Sequence, residues 1–229
     1  VSDVQIKSVL QKTTDFFRMK GIDTARLDAE ILLSNALECD RIKLYIQHDR
    51  PLNEPELVRC RELVRRRASG EPIAYILGRK DFYKHRFIVT PDVLIPRPET
   101  EHLVEEALSW LSQEMSSSPE VHPRVVDLGT GSGCIGLSLL AEHPESHMVG
   151  VDISSEAIKV AKLNADALAV NGRAKFVLSD VAALSAQALQ EMLGGPADIV
   201  VGNPPYISPD DPALDINVRK FEPALALFA

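Results

Sequence analysis

Cysteines and long apolar runs are both scarce in this sequence. Its 229 residues include three cysteines, none with the spacing of a metal site, and we interpret them as reduced, structural residues. No run approaches the roughly 18 apolar residues of a membrane span, and the N-terminal residues lack the pattern of a signal peptide. We therefore expect a soluble, cytoplasmic protein without a metal site.

Positive charge is also in the minority. The sequence has 25 Lys and Arg residues and 33 Asp and Glu residues, which gives a net charge of −8. This balance argues against a protein that holds nucleic acid mainly by neutralising phosphates. The triplet Arg65-Arg66-Arg67 is the candidate basic patch, but it follows the amphipathic pattern "ELVRCRELV". A solvated helix end, favoured by the helix dipole, is the better interpretation.

The patterns along the chain predict three segments. Residues 1–71 have helical periodicity, with a cap and an early proline at Asn53-Glu54-Pro55. Residues 72–98 contain short β-rich pieces separated by turn residues, which predict a β-hairpin connector. Residues 99–229 begin with a further helical pattern, followed by a polar loop over residues 115–123. The chain is long enough for a substantial core in one or two domains.

After that loop, strand and helix patterns alternate. Runs rich in β-branched residues are followed by amphipathic helical stretches, as in "RVVDLGTGSGCIGLSLLAEH", "HMVGVDISSEAIKVAKLNADAL", "AKFVLSDVAAL" and "ADIVVGNPPY". Such alternation predicts right-handed βαβ units and a parallel sheet. The fold class of residues 99–229 is therefore α/β, with a Rossmann-like sheet.

A glycine-rich turn follows the first of these strands. The stretch "DLGTGSGCIG" places Gly131, Gly133 and Gly136 in a G-x-G-x-x-G pattern between a strand and a helix. This is a nucleotide-binding signature, because glycines let a ligand approach the backbone. Asp127, two residues before the first glycine, would repel the pyrophosphate of a dinucleotide but attract the ammonium and sulfonium groups of S-adenosylmethionine. The sequence therefore favours S-adenosylmethionine.

Acidic residues end the next two strands. Asp152 lies about 20 residues further on, where a carboxylate hydrogen-bonds ribose hydroxyls. Asp180 ends the third strand, where two roles are open: contact with the adenine edge, or capping of the helix that follows.

The fourth strand runs into Asn203-Pro204-Pro205-Tyr206. Prolines have no N–H, so this backbone presents carbonyl oxygens with few competing donors. Together with the side-chain oxygen of Asn203, these oxygens form a set of acceptors for an –NH₂ group. Tyr206 offers a flat face to a planar amide or base. We interpret the segment as a site that methylates a planar –NH₂ nitrogen.

Five stretches together resemble the HemK-type peptide-chain release factor glutamine methyltransferases: "LIPRPETEHLVE", "VVDLGTGSGCIGLSL", "VGVDIS", "DIVVGNPPYI" and "FEPALAL". The resemblance spans essentially the whole chain. It implies an enzyme that transfers a methyl group from S-adenosylmethionine to the glutamine amide of the Gly-Gly-Gln motif in class 1 release factors. It also implies a helical N-terminal domain, to which we assign recognition of the body of the substrate protein.

The resemblance also implies roles for single residues. Asn203 and the Pro204 carbonyl hold the substrate amide, Tyr206 stacks on it, and Pro205 adds to the substrate site. Arg97 to Glu101 lie near the cofactor, where Thr100 or Glu101 either begins a helix or acts directly. The residues assigned to the cofactor are Asp127, Gly129, Thr130, Gly131, Ser132, Gly133, Asp152, Asp180, Val181 and Asn203.

Members of this family continue beyond "FEPALAL" to complete a seven-stranded sheet, whereas four strands can be counted here. We expect the C-terminal strands to be missing because the sequence is truncated. Two other functions are open. A DNA adenine N6-methyltransferase would use the same acceptors, although the acidic balance argues against it. A non-catalytic S-adenosylmethionine-binding protein that docks on a translation factor is the second.

Overall fold

A computed structural model describes residues 4–117 and 122–228. The chain divides after Leu77 into two units, Val1–Leu77 and Gly78–Ala229. Residues 72–98, predicted as a connector, are divided between these two units. Ile73–Leu77 is a short helix of the first unit rather than a β-rich piece, because Tyr75 and Ile76 are buried there and packing overrides the strand propensity of the segment. The hairpin belongs to the second unit.

The first unit is helical, as predicted. Its core is formed by apolar side chains such as Phe17, Leu32 and Leu33, all fully buried. Its helices are α1 (Ile6–Met19), α2 (Ala25–Ala36), α3 (Arg41–Ile46), α4 (Glu54–Ala68) and α5 (Ile73–Leu77). The predicted cap of α4 is confirmed: Asn53 and Glu56 each accept a hydrogen bond from the backbone N–H of the other, both at 2.9 Å.

The basic triplet at the end of α4 is solvated only in part. Arg65 is exposed and pairs with Glu62 on its own helix. Arg66 pairs with Glu71, and the Nε of Arg67 lies 2.7 Å from Asp28 of α2. All three guanidinium groups thus pair with acidic neighbours, and those of Arg66 and Arg67 are also partly buried.

The second unit begins with an antiparallel hairpin of β1 (Arg79–Phe82) and β2 (His85–Ile88). Its remaining elements are α6 (Glu101–Ser117), β3 (Arg124–Leu128), α7 (Cys134–Glu142), β4 (His147–Asp152), α8 (Ser155–Ala167), β5 (Ala174–Leu178), α9 (Ala186–Leu193), β6 (Ile199–Gly202), α10 (Ile216–Phe221) and α11 (Ala224–Leu227). The polar loop predicted from residue 115 starts too early, since α6 continues to Ser117; residues 118–121 of that loop lie outside the described residues.

The strands β3 to β6 form one parallel sheet in the order β5-β4-β3-β6. The predicted α/β fold with a Rossmann-like sheet is confirmed, and four strands are present in the part of the chain that the structure describes. The chain winds from β3 to β5 in one direction and then returns to place β6 on the other side of β3. Ligands bind in open α/β sheets at such a switch point, beyond the carboxyl ends of the strands.

The register brings two predicted motifs to the same point. Leu128 at the end of β3 pairs with Gly202 at the end of β6. The glycine-rich turn and Asn203 therefore leave neighbouring strands at the same level of the sheet. In the described ranges, no helix is long and apolar enough to cross a membrane.

Candidate active site

The glycine-rich turn joins β3 to α7. Gly129, Gly131 and Gly133 have φ values of +68°, +54° and +80°, a region that favours glycine. A Cβ added to Gly129 would meet no atom within 4 Å, and one added to Gly131 would meet only the carbonyl oxygen of Gly129, at 3.9 Å. One side of the turn is thus open. Gly133 differs, because its Cβ would lie 2.6 Å from the Cδ1 of Leu137, and it does not line the cleft.

Asp127 lies beneath this turn and is fully buried. Its Oδ2 accepts hydrogen bonds from the Thr130 hydroxyl at 2.8 Å and the Gly136 N–H at 3.2 Å, while its Oδ1 has no partner among the described residues. Burial raises the pKa of this carboxyl to about 6, and the negative charge of Asp152 acts in the same direction. Asp127 does not line the cleft and supports the turn from below, and its assignment to cofactor contact stays a prediction.

Asp152 ends β4 beside the turn and lines the cleft. Its Oδ2 accepts a hydrogen bond from the Gly131 N–H at 2.8 Å, and its Oδ1 accepts one from the Ser154 N–H at 2.9 Å. The carboxylate is therefore held in one orientation by the backbone on both sides. Its remaining acceptor capacity is available to hydroxyl groups of a ligand.

Asp180 caps the short 3₁₀ helix Val181–Ala183, accepting a hydrogen bond from the Ala182 N–H at 2.9 Å. Its side chain is exposed and does not line the cleft, whereas Val181 does. Of the two roles left open by the sequence, the capping role is the observed one. Val181 lines the cleft with an apolar side chain, and contact of Asp180 with the adenine edge stays a prediction.

These elements surround a cleft of about 950 Å³, including its open mouth. Apolar side chains dominate its walls, with polar groups at the turn, at Asp152 and at Asn203. Its lining includes Leu94, Pro96, Arg97, Thr100, Gly129, Thr130, Gly131, Ser132, Ile135, Asp152, Ile153, Val181, Asn203, Pro205, Pro223, Leu225 and Ala226.

A second, more open cavity adjoins the first. It is lined by Asn203, Pro204 and Tyr206, and it shares Arg97, Thr100 and Asn203 with the cleft. The side chain of Asn203 has no hydrogen-bond partner in the described ranges, and the ring of Tyr206 is 76% exposed. An unpaired amide thus stands on the boundary between two cavities. Thr100 lines both of them, whereas Glu101 begins α6 and lines neither.

Two residues of this region were not predicted from the sequence. Glu222 is buried and joins the backbone of Ile95 and the side chain of Arg97. Asn164 on α8 donates hydrogen bonds to the Ser132 carbonyl in the turn at 2.8 Å and to the Ile88 carbonyl at 3.0 Å. Glu222 occurs in "FEPALAL", one of the stretches that carry the resemblance, and this position could have marked it as a functional residue. Asn164 lies inside an ordinary amphipathic helix, and no sequence pattern marked it.

The residues present fit S-adenosylmethionine. The open turn accommodates a ligand against the backbone, the fixed Asp152 carboxylate accepts from ribose hydroxyls, and the apolar walls cover a purine ring. In the described part of the chain, no group of three or more His, Cys, Asp and Glu side chains could hold a metal ion.

Comparison with known proteins shows the family to which the chain belongs. Two family models match, the PrmC N-terminal domain over residues 8–78 and the methyltransferase small domain over residues 103–227. The release factor glutamine methyltransferase of Chlorobaculum tepidum is 43% identical over 225 residues, 98% of this chain and 75% of that protein. That of Geobacter sulfurreducens is 43% identical over 224 residues, 97% of this chain and 72% of that protein.

Among solved structures, the N-terminal domain of human METTL16 is similar to this chain with a TM-score of 0.45. The two are 22% identical, and the similarity covers 68% of this chain and 55% of that one.

The fold and the family models define an S-adenosylmethionine-dependent methyltransferase of Rossmann-like architecture. More specifically, the chain belongs to the release factor glutamine methyltransferase family. The membership predicted from the sequence is confirmed.

Proposed function

We propose that this chain methylates the side-chain amide nitrogen of the glutamine in the Gly-Gly-Gln motif of a class 1 peptide-chain release factor, with S-adenosylmethionine as the methyl donor. Family membership supports the reaction. The observation that carries the assignment to this site is the position of Asn203, whose unpaired amide borders both the cofactor cleft and the open cavity lined by Tyr206.

The two cavities suggest separate binding sites for the cofactor and for the substrate side chain. S-adenosylmethionine, when bound in the cleft of the turn and Asp152, supplies an electrophilic methyl group. The glutamine side chain enters the open cavity, where Asn203 Oδ1 and the Pro204 carbonyl accept its two N–H groups. These acceptors turn the nitrogen lone pair toward the cleft, and the ring of Tyr206 stacks on the planar amide.

The acceptors also act during the transfer. The amide nitrogen is a weak nucleophile, because its lone pair is delocalised into the carbonyl group. As this nitrogen gained the methyl carbon, the bond from that carbon to the donor sulfur would break and leave S-adenosylhomocysteine. The nitrogen would become positive, and the oxygens of Asn203 and Pro204 stabilise that charge until one N–H proton leaves to solvent. Prolines on this loop have no N–H that could compete for the same oxygens.

Mass spectrometry of a release factor incubated with this chain and S-adenosylmethionine tests the proposal. We expect a single methyl group on the Gly-Gly-Gln glutamine, lost in Asn203→Ala and retained in Asn171→Ala, a control at an exposed asparagine. Binding of the cofactor without methylation of that glutamine would refute the reaction. Full activity of Asn203→Ala would refute the site.

The DNA adenine alternative is not favoured, since the relatives are named for a release factor.

The helical unit Val1–Leu77 recognises the body of the substrate in our proposal, because one glutamine side chain offers little selectivity. Full-length release factor should then have a KM well below that of a Gly-Gly-Gln peptide. Equal KM values would contradict this role.

A further inference from the structure

Glu222 is a buried carboxylate between α10 and α11, with its side chain only 1% exposed. Its Oε1 accepts a hydrogen bond from Arg97 Nη2 at 2.6 Å, and its Oε2 accepts one from the Ile95 N–H at 3.2 Å. Both oxygens are thus used by one segment that lies more than 120 residues away in sequence. An ion pair with a charge-assisted hydrogen bond of this kind is among the stronger polar contacts in proteins.

The two segments that Glu222 joins are both walls of the site. Pro96, Arg97 and Thr100 line the cofactor cleft on one side of the contact. On the other side, Pro223, Leu225 and Ala226 follow Glu222 directly and line the same cleft. The carboxylate therefore joins two walls of the cleft without lining the cleft itself.

The contact extends to the loop that holds Asn203. The Ile207 N–H donates a hydrogen bond to the Leu227 carbonyl at 3.0 Å, and Ile207 pairs with Phe228 in a parallel bridge. Residues 222–228 thus connect the Arg97 segment to the end of the Asn203–Tyr206 loop. Because Arg97 also lines the open cavity, a shift of residues 222–228 would move the walls of that cavity relative to the glycine-rich turn.

We propose that Glu222 is a positioning residue for methyl transfer: through Arg97, Ile95 and the Ile207–Leu227 contact it holds the Asn203 loop at its working distance from the cofactor cleft. The inference rests on the proposed function of that loop. The glycine-rich turn and Asp152 belong to other elements, so cofactor affinity depends on Glu222 much less than turnover does. Misplacement of reacting groups by about 1 Å can lower a rate by roughly 100-fold.

The variant Glu222→Gln tests this, because an amide keeps the shape but places an –NH₂ group against one of two donors. We expect kcat for release factor methylation to fall between roughly 10- and 100-fold, while the Kd of S-adenosylhomocysteine changes less than about threefold. Arg97→Lys, at a partly exposed side chain, should lower kcat in the same way. Glu156→Gln, at an exposed glutamate paired with Lys159, is the matched control and should behave as the wild type.

Amide hydrogen exchange gives a readout that does not need turnover. Exchange at Ile207 should be faster in Glu222→Gln than in the wild type, because the Leu227 carbonyl moves away. Unchanged exchange, unchanged kcat, or equal losses of kcat and cofactor affinity would each overturn the positioning role. A wild-type chain that binds the cofactor but methylates no release factor would refute the proposed function instead, and exchange would still decide the role of Glu222.

Discussion

The side chain of Asn164 on α8 binds both backbone groups of Ile88 at the end of the hairpin. Its Oδ1 accepts from the Ile88 N–H at 2.7 Å, and its Nδ2 donates to the Ile88 carbonyl at 3.0 Å. The same Nδ2 donates to the Ser132 carbonyl in the glycine-rich turn, and the side chain is fully buried. One asparagine therefore links the hairpin, the helix α8 and the turn of the cofactor cleft.

Replacing Asn164 by leucine should lower the free energy of unfolding by about 3 kcal/mol, because buried backbone groups of Ile88 and Ser132 would lose their partner. Urea unfolding measures this change. Asn171→Leu, at an exposed asparagine bound to Asp166, should change stability by about 0.5 kcal/mol or less. Equal effects of the two substitutions would contradict the importance of the Asn164 contacts.

Asp127 should make stability depend on pH in an unusual direction. Its folded-state pKa, about 6, lies above the ordinary value of 3.8 because the carboxyl is buried. The folded state thus binds this proton more tightly than the unfolded state. The contribution of Asp127 to stability therefore falls as the pH rises from about 4 to about 6, by about 2 to 3 kcal/mol.

Urea unfolding of the wild type and of Asp127→Asn at pH 4.5 and pH 7 checks this prediction. Because asparagine does not titrate, the wild type should lose stability relative to the variant as the pH rises. A difference between the two proteins that is the same at both pH values would show that Asp127 keeps an ordinary pKa.

Gly202 is a close-approach position at the end of β6. A Cβ added there would lie 2.7 Å from the carbonyl oxygen of Leu128, a backbone atom that cannot move aside easily. Gly202→Ala should lower the free energy of unfolding by about 1–3 kcal/mol and also lower kcat, since Asn203 is the next residue. Gly172→Ala, where the Cβ would meet nothing within 4 Å, should leave both quantities unchanged. A wild-type kcat in Gly202→Ala would contradict the link between strand register and Asn203.

Tyr206 presents its ring to solvent, so folding does not explain the aromatic residue at this position. Tyr206→Ala should lower kcat/KM for the release factor by roughly threefold to tenfold through loss of stacking, with little effect on the melting temperature. Tyr206→Phe keeps the flat ring and should retain most of the activity. If kcat/KM falls as much in the phenylalanine variant as in the alanine variant, the hydroxyl group rather than the ring contributes to activity.

Asp152 should contribute mainly to cofactor affinity. In Asp152→Asn the amide can accept at only one of the two positions now held by Gly131 and Ser154, and the charge that binds hydroxyl groups is lost. We expect the Kd of S-adenosylhomocysteine to rise roughly 10- to 100-fold by calorimetry. Asp166→Asn, at an exposed aspartate on α8, should leave the Kd unchanged. An unchanged Kd in Asp152→Asn would exclude a role in binding.

Local patterns were sufficient for much of the architecture. The helical N-terminal region, the cap at Asn53 and the parallel sheet follow from periodicity and turn residues, which act over a few positions of the chain. The cleft itself also follows, since the carboxyl ends of neighbouring parallel strands meet at one edge. Gly131, Asp152 and Asn203 could be placed there because each lies at or just beyond the carboxyl end of a strand.

Burial and long-range contacts decided the orientation of side chains at the site and the structure of residues 73–77. Asp127 lies under the turn rather than in the cleft, and Asp180 caps a 3₁₀ helix, because orientation at a strand end depends on what packs around it. Ile73–Leu77 is a helix whose Tyr75 and Ile76 are buried, so packing rather than local pattern decided its structure. The sequence by itself thus determined the class of fold and the motifs of the site. Only the tertiary structure decided that Glu222 and Asn164 hold that site together, since their partners are tens of residues away and no local pattern connects them.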